Sequence, residues 1–369
     1  MEFITKHKPR LKIFVALCLV SVGSLLPRFA TLDGREPPAR ESDLKKVSLT
    51  GSIGHHPSTN VLLWTQMRSG SSFTGNLLTA SPHTFYIEEP LRNGKIKGMA
   101  HSVEFLKDVL QCRFGERRRM WEMWMTSMHI NDYQTKLLCM FFNGLCADAD
   151  FVESMCLAIR AKVVRVVSQE MGVAAALLEE EELRARVIHL VRDPRALLAS
   201  RSRFKNGTHG KYRLASNMGF REDDKDPSLV CARYRQDMAA RASIMHLYPD
   251  RYTLIRYEDL ALHTERVLRR VYPFMGLPYT PVVAHKVAVH TLGFTTEGAD
   301  HPYSTFKNSK STVFAWRQHL SFRDMERIQR ECGDVLQTYG YRRFQTLEDY
   351  ENLEESPLHL TEEELTRLN

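Results

Sequence analysis

Four short stretches of the chain, residues 61–67, 163–167, 187–191 and 252–256, carry Val, Ile or Leu at successive rather than alternate positions. A strand with one wet face alternates apolar and polar residues, whereas a strand covered on both faces does not. Helical patterns fill the intervals, at residues 72–79, 171–186, 195–203, 231–247 and 263–275. Such alternation predicts an α/β domain with a central parallel sheet flanked by helices. Open parallel sheets bind ligands beyond the carboxyl ends of their strands, so the residues following each apolar run are where chemistry belongs.

The first run leads into "TQMRSGSSFTGNLL", which sets small and hydroxyl-bearing residues around a single cation, Arg68. Gly70 opens backbone conformations closed to other residues. The hydroxyls of Ser69, Ser71 and Ser72, with the free amides of a following helix, form a P-loop-like cradle for an anion. A capping serine is routine at a helix start, but an arginine beside it is not part of a cap. Gly70 and Gly75 stand at the spacing of a nucleoside-triphosphate loop, yet Asn76 and Leu77 occupy the positions of its lysine and hydroxyl residue. The loss of both counts against a nucleotide kinase. What remains suits transfer of a group that arrives already activated, where positioning and charge suffice.

A second stretch, "VIHLVRDPRALLASR", is a strand ending in Arg192, followed by Asp193 as a helix cap and Pro194 at the first helical position. Arg192, with Arg195, Ser200 and Arg201 on the helix, supplies the donors for another phosphate. Two separate anion sites imply a cofactor with two phosphate groups.

With "RSGSS" and "LVRDPRALLASR" together, the chain resembles the sulfotransferases that use 3′-phosphoadenosine 5′-phosphosulfate. More narrowly it resembles the Golgi carbohydrate 6-O-sulfotransferases acting on galactose, N-acetylgalactosamine or N-acetylglucosamine. "FYIEEPLR", "KVVRV", "LIRYEDLALHTERVLRRVYPFMGLP" and "STFKNSKSTVFAWR" extend the likeness from about residue 60 to 343. The resemblance implies that Arg68, Ser69, Gly70, Ser71, Ser72 and Phe73 hold the 5′-phosphosulfate, and that Arg192 and Ser200 hold the 3′-phosphate. Arg68 would stabilise charge growing on the leaving phosphate. The expected reaction is metal-independent, in-line transfer of sulfate to a sugar hydroxyl. A lumenal nucleotide- or glycan-binding protein without turnover is the alternative, discriminated by whether label reaches an acceptor.

The acceptor hydroxyl must lose a proton, and the resemblance points to the carboxylate before Pro90. The residue preceding that Glu-Pro in the family is usually aromatic; here it is Glu88. An extended 85–87 segment sends the two carboxylates to opposite faces, so one enters the site, and Glu89 is the preferred base. Lys162 and Arg165, three apart on one strand, are candidates for contact with sulfate or an acidic acceptor. Lys307 and Trp316 are further candidates, Trp316 as a stacking surface for a sugar or as a core residue. "RYEDL" starts a helix with Glu258 and Asp259 at its positive end.

The ends of the chain bear on location. Lys6, His7, Lys8, Arg10 and Lys12 precede an apolar stretch at 13–26, which in helix spans about 21 Å. That is short of the roughly 20 residues a bilayer prefers, so a cleaved signal and a short signal anchor both fit. Basic residues before the span keep the tail cytoplasmic and the bulk lumenal. The expected order is a cytoplasmic tail (1–12), an anchor (13–30), a stem (31–59), the sulfotransferase domain (60–345) and a solvated acidic tail (346–369). The resemblance implies a type II Golgi membrane glycoprotein, with Asn206, in the chain's one Asn-Gly-Thr sequon, as the expected glycosylation site. Six cysteines outside the anchor, Cys112, Cys139, Cys146, Cys156, Cys231 and Cys332, lack zinc-site spacing and suit disulfides. The net charge of +7 favours an anionic partner. No aromatic-basic interleaving points to nucleic acid, so a glycan or glycosaminoglycan acceptor is expected, and a homodimer is compatible.

Overall fold

The computed structural model describes residues 58–92, 96–115, 148–202, 222–292 and 309–367. Its centre is a five-stranded sheet formed by β1 (Thr59–Thr65), β2 (Thr84–Glu88), β3 (Ala161–Val167), β4 (Ala185–Val191) and β5 (Tyr252–Arg256). Every pairing is parallel, in the order β2-β3-β1-β4-β5. β1 is therefore the central strand. The chain moves to one side of it for β2 and β3 and to the other for β4 and β5, so the switch point lies at the carboxyl end of β1.

The unbroken apolar runs have a direct cause. Val61 and Leu63 pack with Val163, Ile188, Leu190 and Ile255 on one face, while Leu62 and Trp64 pack with Val164, Val166, Val187 and Val191 on the other. Helices cover both faces: α1 (Ser71–Leu78), α2 (Met99–Leu110), α3 (Ala149–Ala158), α4 (Met171–Glu179), α5 (Pro194–Ser202) and α6 (Pro227–Leu247). They are followed by α7 (Tyr257–Leu262), α8 (Thr264–Phe274), α9 (Pro281–Leu292), α10 (Ser309–Thr312), α11 (Phe322–Glu331), α12 (Gly333–Thr338), α13 (Leu347–Glu351) and α14 (Glu362–Arg367). In α8 the residues at i, i+1, i+4 and i+5 (Val267, Leu268, Val271 and Tyr272) form the buried stripe. The Tyr272 hydroxyl then donates to the Leu77 carbonyl of α1 at 2.9 Å. Each such side chain taken fully out of water contributes roughly 1.5–3 kcal/mol.

The helix expected over 171–186 stops at Glu179. Arg184 takes a left-handed backbone (φ 47°) after a tight turn at Glu181–Leu183, and β4 begins at Ala185. Pairing with β1 overrides the local pattern there, since Asn60 lies opposite Ala185 and its side-chain amide donates to the Leu183 carbonyl at 2.6 Å. Disulfides join Cys112 to Cys156 and Cys231 to Cys332. Cys139 and Cys146, Asn206, Lys307 and residues 1–57 (the expected cytoplasmic tail, the anchor and the stem up to its last two residues) lie outside the described residues, and β1 begins at Thr59, inside the expected stem. No helix among the described residues is long and apolar enough to cross a membrane.

The acidic C-terminal segment is not a solvated appendage. Arg342 pairs with Asp349 and Glu355, and Arg317 donates to the carbonyls of Tyr350, Asn352 and Glu355. Phe344 and Tyr350 are buried, and Arg256 reaches the Leu360 carbonyl at 2.8 Å. Asp349, Glu355 and Glu362 face cations of the domain, which composition alone does not reveal, while Glu348, Glu351 and Glu354 stay exposed.

Candidate active site

At the end of β1 the chain turns sharply. Arg68 and Gly70 both take left-handed backbone (φ 70° and 85°), and α1 starts at Ser71 with Thr74 N–H donating to the Gly70 carbonyl at 3.0 Å. Alternation of this kind turns successive amides toward one concavity, which suits an anion. A β-carbon on Gly70 would stand 2.3 Å from the Tyr257 ring, so glycine is required by space as well as by φ. The Ser69 hydroxyl is fully buried and has no hydrogen-bond partner. A buried donor left unmet costs stability and marks a place where a ligand oxygen belongs.

Neighbouring elements hold this turn by its backbone. Arg201 of α5 donates to the Met67 carbonyl at 2.9 Å, Met67 N–H donates to Ser168 Oγ at 3.2 Å, and Arg192 donates to the Arg68 carbonyl at 2.9 Å. Arg192 also lies over the Tyr257 ring, 4.6 Å from its centre, with Nε buried and unpartnered. Arg68 Nε donates to Ser200 Oγ at 3.1 Å. The two stretches read separately as anion sites thus meet directly, through Arg68–Ser200, Arg192–Arg68 and Arg201–Met67.

Arg195 and Arg201, expected beside Arg192 as phosphate donors, are turned elsewhere. Arg195 is sealed against Asp193 (2.7 Å), Gln329 and the Arg342 carbonyl, between the rings of Trp316 and Phe344. Arg201 has its guanidinium on the Met67 and Asp224 carbonyls, and burial pulls its pKa down to about 10. Glu258 supports the same corner by accepting Asp193 N–H (3.1 Å) and the Tyr341 hydroxyl (2.9 Å), and burial raises it to about 7. "RYEDL" does start helix α7, and Asp259 forms a two-pronged pair with Arg256 at 2.6 and 2.9 Å.

On the other side of β1, Arg165 near the end of β3 is only 2% exposed. Its Nη1 donates to Ser72 Oγ at 2.6 Å, and its Nη2 donates to both Glu88 and Glu89, the latter at 2.6 Å. The two carboxylates were expected to diverge. They converge because Glu89 leaves β2 in a left-handed conformation (φ 44°), which swings its side chain back toward Arg165. Burial disfavours the charged guanidinium, but Tyr86, Glu88 and Glu89 outweigh it and hold the Arg165 pKa above its usual value. Arg92, on the same turn and half exposed, approaches the second oxygen of Glu89 at 3.6 Å.

Two candidates are not brought to this place. Lys162 lies near the start of β3, opposite Asn60 and Phe85, and donates to the Leu110 carbonyl at 2.8 Å; burial lowers it to about 8. Trp316 is a core residue, packed with Ala196, Ala199, Met325, Phe344 and Tyr350. Tyr257 is a support that the sequence reading did not single out, and Glu258, read only as a carboxylate at a helix start, supports the turn as well. Only the packing of α7 under the β1 turn reveals them.

Comparison with known proteins gives the family of the chain. The family described as "Sulfotransferase domain" matches residues 58–342. Carbohydrate sulfotransferase 1 of Mus musculus is 29% identical, covering 80% of this chain and 82% of that protein. Carbohydrate sulfotransferase 5 of Mus musculus is 29% identical (77% and 80% covered), and carbohydrate sulfotransferase 6 of Homo sapiens is 28% identical (81% and 85%). Among solved structures, the sulfotransferase domain of the Synechococcus PCC 7002 olefin synthase superposes with a TM-score of 0.46 at 16% identity, over 79% of this chain and 98% of that one. With the match running from the first strand through the last element of the site, the chain belongs to the sulfotransferase domain family.

Proposed function

We propose that the protein transfers a sulfuryl group from 3′-phosphoadenosine 5′-phosphosulfate to a sugar hydroxyl, the 6-hydroxyl of galactose, N-acetylgalactosamine or N-acetylglucosamine being the preferred acceptor. The observation that carries this reading is the contact of Arg68 with Ser200 above a turn that buries an unpartnered Ser69 hydroxyl. The residues present fit the donor. Arg68, Ser69, Gly70, Ser71, Ser72 and Phe73 would hold the 5′-phosphosulfate, and Arg192 and Ser200 the 3′-phosphate. When bound, the donor supplies an activated sulfur centre with a phosphate leaving group.

The chain's own residues supply the rest. Arg68 carries fixed positive charge to where negative charge grows on the departing phosphate oxygen, and removal of such a donor typically costs about 2.7–4 kcal/mol in the barrier. Glu89 takes the proton of the attacking hydroxyl; the oxygen–sulfur bond forms as the sulfur–phosphate oxygen bond breaks. The names of the relatives, carbohydrate sulfotransferases, support a sugar as acceptor. Basic residues before the apolar 13–26 stretch, with disulfides in the domain, support a Golgi lumenal domain on a single-pass type II anchor.

The full chain, incubated with chelator, radiolabelled donor and glycans ending in each of the three sugars, tests the reading. Label should reach one acceptor class with the wild type and fall by about 10²–10³-fold with Arg68→Ala. No transfer to any glycan would overturn it: with the donor still bound, a binding protein without turnover takes its place, and with no donor binding both phosphate sites fall.

A further inference from the structure

The cluster around Arg165 has one carboxylate more than a simple ion pair needs. Arg165 stands opposite Glu88 across the β2–β3 ladder, and its carbonyl accepts the Glu89 amide at 3.0 Å. Both hydrogens of Nη2 are taken, one by each glutamate, and Nη1 is taken by Ser72 of the donor turn. The Glu88 side chain is 6% exposed and the Glu89 side chain 18%. One carboxylate is thus sealed with the cation and the other opens toward solvent.

We propose that Arg165 and Glu88 are positioning residues: as a sealed ion pair they aim Glu89 and tie it through Ser72 to the donor turn. This rests on the reading of Glu89 as proton acceptor given above.

The charge count gives the reason. With both glutamates ionised the three groups sum to one negative charge, and after Glu89 takes a proton the Arg165–Glu88 pair is neutral. The clamp therefore survives both states of the base. Without Glu88 the whole guanidinium charge would fall on Glu89 and weaken it as a base, because a neighbouring cation favours the ionised carboxylate. Without Arg165 the two carboxylates would repel, and Glu89 would hold a proton too readily. Ser72 sits in the first turn of α1, so a donor that engages the turn and a base that engages the acceptor share one rigid side chain. Among the described residues, the charged or titratable groups facing Glu89 are Arg165 from β3, Glu88 from β2 and Arg92 from its own turn. Tyr86 lies within electrostatic reach of Arg165, and α1 contributes no ionisable side chain.

The test is the pH dependence of kcat/KM for the acceptor in the full chain, measured for the wild type, Glu88→Gln, Arg165→Gln and the double variant, with donor-product binding as a check of folding. Glu88→Gln should move the acidic limb down by about one pH unit and lower the plateau rate. Arg165→Gln should move the limb up by a similar amount. The double variant removes both buried charges; it should bring the limb back toward the wild type while kcat stays low, because the aim is lost. It also covers the case in which Arg165→Gln alone fails to fold. A limb that stays in place in Glu88→Gln, with wild-type kcat, overturns the inference and leaves the sulfotransferase reading intact. A wild type inert toward every glycan sinks both.

Discussion

Two buried arginines stand at the carboxyl ends of strands in the same sheet and do different work. Arg256, at the end of β5, faces one carboxylate, Asp259, and turns its remaining donors to the carbonyls of Tyr339, Gly340 and Leu360. The arrangement is closed: Arg256 makes its ion pair with a single buried carboxylate, and its other partners are backbone carbonyls just after α12 and in the C-terminal segment. Arg165, at the end of β3, faces two carboxylates, and the second of them stands on left-handed backbone with part of its side chain in solvent. A sealed one-to-one pair is structural. An excess of charge on strained backbone at a switch point is what chemistry requires, since a residue outside the favoured regions costs of order 1–3 kcal/mol and persists only where its surroundings impose it.

The contrast breaks first on the closed side. Asp259→Asn leaves Arg256 buried without a counter-charge, so unfolding free energy should fall by about 3–5 kcal/mol in a denaturant titration, while kcat of the folded enzyme is retained. A loss of turnover with unchanged stability would remove the distinction. Trp316→Ala probes the other closed corner, where the indole backs Arg195. It should cost about 3–5 kcal/mol of stability and leave the acceptor KM of the folded enzyme unchanged. A raised KM with intact stability would return Trp316 to the acceptor site.

A smaller effect sharpens the role of burial. Asp237 accepts from Gln66, just before the donor turn, at 3.4 Å, and burial pushes its carboxyl up to about 7. A carboxyl raised above its unfolded value favours the folded state most below the unfolded pKa, and that contribution is lost as pH rises from about 4 to about 7. Asp237→Asn keeps an acceptor for Gln66 and cannot ionise. At pH 8 it should exceed the wild type in stability by on the order of a few kcal/mol, and the difference should vanish near pH 4. A constant difference across that range would mean that Asp237 is ionised throughout.

The two sides of the site also differ in how far the sequence reveals them. The donor side is local. A strand, a glycine turn and a helix start follow each other along the chain, and Arg68 and Gly70 bear their roles within three residues. The strand at 252–256 and the helices beside it follow from periodicity in the same way, because burial on both faces writes itself into successive apolar residues. The acceptor side depends on contacts across 76 residues, from Glu89 to Arg165, and on a left-handed turn at a glutamate, which no local preference announces. Alternation along an ideal strand sent Glu88 and Glu89 apart; the turn brought them together. Arg195 and Arg201 mislead for a related reason. Both follow Arg192 on a helix that crosses the site, yet Arg195 folds back on Asp193 and reaches Gln329, while Arg201 holds the Met67 and Asp224 carbonyls; Gln329 and Asp224 come from segments neither motif includes. The acidic C-terminal segment reads as solvated until the arginines that receive it are in place.

Single-turnover transfer by Glu89→Gln, started from enzyme already loaded with donor, tests the open side most directly. The rate should fall by roughly 10²–10⁴-fold, with melting temperature and donor affinity at their wild-type values, because proton acceptance is lost and no buried charge is left unmatched: Arg165 keeps Glu88. A rate near that of the wild type would show that another group takes the proton, and that the charge excess at Arg165 is not the seat of the chemistry.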